Sequence, residues 1–95
     1  MYKIHTLKAV RKDLKRLSKQ AAVRIINFCL PRLSKNPYCG VPLSGNLKGY
    51  WRYVFKFQGV SYRIVYQIYE KEKVVIIIAI GPREKFYERL LKRIR

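Results

Sequence analysis

The sequence predicts an α+β fold: an N-terminal strand and a helical hairpin packed on a mainly antiparallel β-sheet, closed by a C-terminal helix. Three observations lead there. From Leu7 to Leu33 apolar residues recur at intervals of three and four, the spacing of helices with one buried face. From Tyr50 to Ile80 the spacing falls to two, or becomes continuously apolar, in three segments parted by short turns. Helical spacing returns in "REKFYERLLKRIR" at the end of the chain.

Each element has its own justification. "YKIHTL", Tyr2 to Leu7, reads as the first strand, and if it joins the sheet it puts Lys3 near an edge. Leu7, Val10, Leu14 and Leu17 mark the first helix, whose lysines form a solvated face. Ser18 interrupts and caps a second helix running from Lys19 towards Leu30. Ala22, Ile25, Ile26, Cys29 and Leu33 line its expected inner stripe, and Pro31 kinks or ends it by removing a backbone donor. Two helices joined so tightly form a hairpin that must lie on something apolar. "SKNPYCGVPLSGNLKG", Ser34 to Gly49, reads as a connecting loop because neither flank buries a core alone. Three strands follow at roughly Tyr50–Phe57, Ser61–Tyr69 and Lys73–Ile80, with "QGVS" and "EKEK" as meander turns. In the last helix Phe86, Leu90, Leu91 and Ile94 supply the apolar side.

Strand alternation sorts the side chains by face. In "YWRYVFKF", Arg52, Val54 and Lys56 share one face, and Trp51, Tyr53, Phe55 and Phe57 the other. In "SYRIVYQIY", Arg63, Val65, Gln67 and Tyr69 alternate with Tyr62, Ile64, Tyr66 and Ile68. Packing the hairpin on the aromatic and isoleucine face leaves Arg52, Lys56 and Arg63 on the opposite, partly open one. The third strand, apolar on both faces, reads as central or helix-covered.

With 95 residues the chain has length for one domain, 1–95, with a thin core. Twenty-two Lys and Arg against five Asp and Glu give a formal charge of +17, which points to nucleic acid, an anionic surface or an acidic protein as partner. A hydrophobic content of 49% with eight tyrosines argues against a disordered basic tail. "KVVIIIAI" is too short to span a bilayer, and no secretory signal precedes the first strand. Cys29 and Cys39 lack metal-ligand spacing and read as small buried residues rather than a disulfide in a cytoplasmic chain.

Several chemistries lose support. There is no HExxH, no clustered carboxylates and only one histidine, His5, which reads as structural or exposed. "GVPLSGNLKG" does not follow the GxxxxGK[ST] phosphate-loop pattern. No metal or cofactor is expected. What remains is electrostatic: Arg52, Lys56, Arg63 and Arg83 are suited to holding an RNA phosphate and stabilising charge that develops at phosphorus. Tyr87 is suited to stacking on a base or assisting proton transfer, with covering the core beside Phe86 as its structural alternative. RNA carries its own nucleophile in the 2′-hydroxyl, so cleavage needs neither metal nor activated water.

"PLSGNLKGYWRYVF", "SYRIVYQI" and "VVIIIAIGPREKFYE" together resemble the RelE/ParE superfamily of toxins from bacterial and archaeal toxin–antitoxin modules, its RelE branch in particular. The resemblance covers nearly the whole chain. Its specific elements are a Leu-x-Gly loop, a Tyr-Arg-hydrophobic-hydrophobic-Tyr strand and a hydrophobic strand ending in Gly-x-Arg. It implies a small RelE-like α/β toxin that enters the ribosomal A site, cuts mRNA without a metal and is silenced by an antitoxin. By position, Arg63 in "YRIVY" matches the strand arginine that contacts the scissile phosphate. Arg83 in "GPRE" matches the second active-site arginine. Arg52 falls where well-studied members carry a catalytic lysine; strict alternation puts Val54 at the next lysine position, with Lys56 one step further on that face. Tyr87 lies in the last-helix region of the family's tyrosine, closer to Arg83 than in some members.

The expectation is therefore a ribosome-dependent endoribonuclease with Arg52, Arg63, Arg83 and Tyr87 as catalytic residues. Lys48, Arg52, Lys56, Arg63, Arg83 and Lys85 form the expected RNA-binding set. Its expected partners are the bacterial-type 70S ribosome with its mRNA and an antitoxin bearing an acidic amphipathic segment, with no membrane and no sequence-specific DNA contact. That segment is expected to cover the basic sheet or displace the last helix. The alternatives are a ParE-like inhibitor of DNA gyrase, whose branch lacks a comparable RNA-cleaving set, and a non-catalytic module binding RNA or antitoxin.

Overall fold

The computed structural model describes residues 1–83 and 85–95. Its elements run β1 (Lys3–Thr6), α1 (Lys8–Arg16), α2 (Lys19–Arg24), a π-helical turn (Ile25–Cys29), α3 (Leu30–Lys35), β2 (Val41–Pro42), β3 (Trp51–Phe57), β4 (Val60–Tyr69), β5 (Val74–Pro82) and α4 (Phe86–Ile94). The five strands form one sheet in the order β1-β5-β4-β3-β2. β1 lies parallel to β5 and every other neighbour is antiparallel. The α+β architecture expected from the sequence, with an N-terminal strand, a helical hairpin, a mainly antiparallel sheet and a C-terminal helix, is the one observed.

The hairpin covers one face of the sheet. Val10, Ala21, Ile25 and Leu33 pack with Ile64, Tyr66, Val75 and Ile77, and each of these side chains is fully buried. Each large aliphatic among them contributes about 1.5–3 kcal/mol relative to exposure. Ser18 caps α2 as expected, its Oγ accepting from Ala21 N at 3.2 Å. The expected inner stripe needs correction at two positions: Ala21 rather than Ala22 is buried, and Ile26 is exposed. Leu7, counted with the first helix, sits exposed before its first turn.

Pro31 neither ends nor breaks the helix, which continues to Lys35. The π-helical turn immediately before it explains why. There Leu30 N donates to Ile25 O, five residues back, and the widened turn makes room for a ring that would otherwise strike the carbonyl four residues earlier.

β3 and β4 are joined by Gln58 and Gly59 alone, both at positive φ (49° and 78°). This two-residue loop matches the right-handed twist of the strands it joins. In β5 the pairing slips by one residue: Val65 faces Ala79 while Tyr66 faces Ile77. The extra residue, Ile78, is a bulge that shifts the phase of the strand. Val75, Ile77 and Ile80 point to the hairpin, while Ile78 and Ala79 join a second cluster with Val65, Phe86 and Leu90. β5 is thus covered on both faces, as its composition predicts.

That second cluster is where α4 lies, on the arginine-bearing face. Leu43, Leu47 and Tyr50 pack against its rim. The stretch expected as plain loop therefore contributes β2, paired with β3, and part of a wall. α4 starts at Phe86, later than "REKFYERLLKRIR" suggests; Glu84, within that stretch, lies outside the described residues. Both cysteines are free. Cys29 is buried, which pushes its thiol up to about 11 and leaves it protonated, but Cys39 is exposed, contrary to expectation. Its 3₁₀ turn, Pro37–Cys39, buries Pro37 instead. No helix among the described residues is long and apolar enough to cross a membrane.

Candidate active site

Arg63 stands in the middle of β4, opposite Val54 of β3 on one side and Gly81 of β5 on the other. Arg52 and Lys56 lie diagonally across from it, because Val54 pairs with Arg63 while Arg52 pairs with Val65 and Lys56 with Ser61. All three side chains project from one face, as the period-two pattern requires. Arg52 and Arg63 are half-buried; Val54 and Lys56 are exposed. α4 packs over the Val65–Ala79 part of this face and reaches Arg52 through Tyr87, while Val54 and Lys56 stay exposed.

Gly81 brings the helix close. A Cβ there would lie 3.1 Å from the Phe86 ring, so the absence of a side chain lets the first residue of α4 pack onto the strand end. Phe86 meets the ring of Tyr87 edge-on at 5.3 Å between centroids. Tyr87 in turn reaches β3: Arg52 Nη1 donates to its hydroxyl oxygen at 3.2 Å. Two of the expected site residues, 35 positions apart, are thereby in contact.

The electrostatics are unusual for a half-buried surface. Arg52 Nε, Arg63 Nε and Arg63 Nη1 are buried and have no hydrogen-bond partner among the described residues. Leaving such donors unsatisfied costs about 1–3 kcal/mol each, and more for charged groups. Arginine cannot relieve the cost by losing its proton. An anion admitted to these atoms by a shift of the two arginine side chains would remove the cost, and a phosphate suits the planar fork of donors.

Arg83 leaves β5 two positions beyond Gly81, exposed and in a bend. Lys48, in the turn before β3, and Lys85, in left-handed conformation (φ 57°) ahead of α4, are exposed. Among the described residues no hydrogen bond or ion pair joins Lys48, Lys56, Arg83 or Lys85 to the Arg52–Tyr87 pair. His5 lies on edge strand β1, separated from β3 by β5 and β4. Among the described residues no three His, Cys, Asp or Glu side chains come together as metal ligands would.

Sequence reasoning missed one polar cluster. Asp13 of α1 is 7% exposed and binds the guanidinium of Arg93 in a fork, with Nη1 to Oδ2 at 2.6 Å and Nη2 to Oδ1 at 2.9 Å. Asp13 sits between lysines on an apparently solvated helix, and nothing in its spacing pairs it with a residue 80 positions away. The only available signal was a lone acid within a strongly basic helix.

A second surface feature lies away from the arginines. Phe28 is 62% exposed, and Arg24 stacks its guanidinium 5.4 Å from the ring centroids of both Phe28 and Phe57. Together with Val23, Lys19 and Gln58 they line a shallow groove of about 730 Å³.

Comparison with known proteins places this architecture. Residues 4–91 match the family described as ParE-like toxin of type II bacterial toxin–antitoxin system. The chain is 27% identical over 89 residues to toxin RelG of Mycobacterium tuberculosis, spanning 93% of this chain and 98% of that protein. Its fold superposes on the toxin–antitoxin complex RelBE2 from M. tuberculosis with a TM-score of 0.74 and 26% identity, covering 86% of this chain and 91% of that one. A mutant of E. coli toxin RelE in the free state also gives 0.74, at 20% identity over 99% of this chain and 98% of the other, a likeness of fold.

Proposed function

We propose, starting from the fact that this chain belongs to the RelE/ParE superfamily of type II toxin–antitoxin toxins, that it is a ribosome-dependent endoribonuclease cutting mRNA in the ribosomal A site. Residues 1–95 act as one toxin domain in the cytoplasm. The observation that carries the reading is the set of buried arginine nitrogens without partners among the described residues, Arg52 Nε and Arg63 Nε and Nη1, on the face where Val54 and Lys56 are exposed.

The reaction follows from those groups. The 2′-hydroxyl oxygen attacks the adjacent phosphorus, the new O–P bond forms, and the bond to the 5′-oxygen of the next nucleotide breaks. The products are a 2′,3′-cyclic phosphate and a 5′-hydroxyl. Arg63 and Arg52 hold the phosphate and stabilise the added negative charge on its oxygens, with Arg83 joining from the end of β5. Arginine stays protonated, so it does not serve as the base. The proton lost by the 2′-hydroxyl ends on the departing 5′-oxygen, and Tyr87 relays it: its O–H gives a proton to the 5′-oxygen, and its oxygen, which accepts from Arg52, takes the 2′-hydroxyl proton in return. Lys48, Lys56 and Lys85 contact neighbouring phosphates along the strand. No step calls for a metal, because the nucleophile is internal and the charge is met by guanidinium groups. The ribosome supplies the orientation that so spare a site lacks.

The test adds purified protein to a translating system and maps mRNA ends. Cuts should fall within ribosome-bound codons and drop about a hundredfold or more in Arg83→Ala, the scale of losing one preorganised charge donor. No cuts, together with DNA breaks linked to gyrase, would replace this reading with gyrase inhibition.

The partner is a cognate antitoxin with an acidic amphipathic segment. A charge of +17 disfavours self-association and favours an acidic partner. The Arg24–Phe28–Phe57 groove suits a segment with an apolar ridge and carboxylates along its flank. Phe28→Ser should weaken binding of the acidic protein encoded beside the toxin by about tenfold or more, measured by titration calorimetry. An unchanged Kd would remove the groove from the antitoxin interface.

A further inference from the structure

β1 pairs with β5 only as far as Thr6 opposite Ile77, with Leu7 N donating to Ile77 O beyond it. From Ile78 onward that edge of β5 has no neighbouring strand among the described residues. Asp13 and Arg93 close it. Asp13 Oδ2 accepts from Ile80 N at 3.0 Å, and Arg93 Nη1 donates to Ile78 O at 3.0 Å, as a paired strand would. The same two side chains bind each other through their fork, so α1 on one face is clasped to α4 on the other around the edge of the sheet. The carboxylate's hydrogen bonds also push the Arg93 guanidinium pKa up.

We propose that Asp13 and Arg93 are positioning residues for the cleavage proposed above, on which this inference rests. They set where Tyr87 and Arg83 stand. Ile80 is three residues before Arg83, so the carboxylate pins the strand end from which Arg83 departs. α4 has nine residues, too few to hold a helix without tertiary support. Phe86 seats its first turn on Gly81, and Arg93 anchors its last. Tyr87 meets Arg52 only while the helix between these anchors stays formed and docked. Apolar packing alone tolerates small slides, whereas a bidentate carboxylate–guanidinium fork has one geometry. A buried ion pair adds little net stability over apolar packing, so its value here is in fixing that geometry.

Two variants test this in the intact chain. Asp13→Asn keeps the shape and an acceptor for Ile80 N but removes the charge that holds Arg93; Arg93→Gln removes the fork from the other side. In both, the cleavage rate at saturating ribosomes should fall roughly ten- to a hundredfold. The ribosome concentration giving half the maximal rate should stay within about twofold, because the clasp touches no substrate. NMR supplies a readout independent of activity: the Tyr87 ring signals of Asp13→Asn should move towards those of Arg52→Ala, and α4 amides should exchange faster while those of β4 do not. Wild-type cleavage rates in both variants, or unmoved Tyr87 signals, would overturn the proposal. If wild type cleaves no mRNA, the functional reading fails, while the Tyr87 signals still decide whether the clasp positions that side chain.

Discussion

Arg63→Ala should slow cleavage about a hundred- to a thousandfold without weakening the fold. A preorganised donor lost from a site of developing charge costs about a hundred- to a thousandfold in rate, or 2.7–4 kcal/mol of transition-state stabilisation. For most half-buried residues such a truncation also lowers stability. Here the sign differs, because Arg63 Nε and Nη1 are buried with no partner among the described residues. Removing them removes an unmet desolvation cost of about 1–3 kcal/mol per group, set against the packing of the lost methylene stem. The melting temperature of Arg63→Ala should therefore equal or exceed that of wild type. Arg63→Lys should recover part of the rate, since the charge returns but the fork does not. A drop of more than about 5 °C in Arg63→Ala, about 1 kcal/mol for a domain of this size, would mark the guanidinium as structural.

Gly40→Ala should have the largest effect on stability, through backbone rather than core. Gly40 lies where the strap carrying β2 crosses onto β3, with Val41 paired to Arg52 and Pro42 to Trp51. A Cβ at Gly40 would overlap the Tyr66 hydroxyl and sit 2.6 Å from the Arg52 carbonyl oxygen. Tyr66 cannot yield easily. It is fully buried, its hydroxyl donates to Pro37 O at 2.6 Å, and burial raises its pKa well above the usual tyrosine range, keeping it a donor. The carbonyl belongs to a paired strand and cannot yield without moving Arg52 itself. Overpacking of this kind costs about 2–3 kcal/mol, and the melting temperature should fall by roughly 10–20 °C. Adding Tyr66→Phe should not rescue it, because the Arg52 carbonyl remains in the way. Gly45→Ala is the control: nothing lies within 4 Å of its Cβ, and only its positive φ of 61° costs energy, about 1 kcal/mol. Equal melting temperatures for the two variants would show that the strap gives way without loss.

The two substitutions act on one strand pair from opposite sides. Arg63 presents charge on the face, and Gly40 keeps β2 against the edge from which Arg52 projects. A site carried on paired strands holds its geometry better than one on loops. Tyr87 is not carried on a strand: it reaches the strands from a short helix whose docking depends on Gly81 and on the Asp13–Arg93 clasp.

How much was legible in the chain depended on the range of the interaction. Alternation in a strand is a property of successive residues, so Arg52, Lys56 and Arg63 could be assigned to one face with no knowledge of what lay opposite. The Ser18 cap and the Gln58–Gly59 turn are equally local, and both occur where the sequence predicts them. The helix stripe failed at Ile26, inside the π-helical turn before Pro31, and at Ala22, where regular helix turns Ala21 to the sheet instead. Tertiary structure alone decided that β1 would lie parallel beside β5, that a bulge at Ile78 would turn Ala79 towards α4, and that α4 would cover the Val65–Ala79 part of the arginine-bearing face. It also decided the contacts between Arg52 and Tyr87 and between Asp13 and Arg93. The reason is physical: period and capping are written in neighbours along the chain, whereas which distant polar groups meet is set by how two covered faces pack around one central strand.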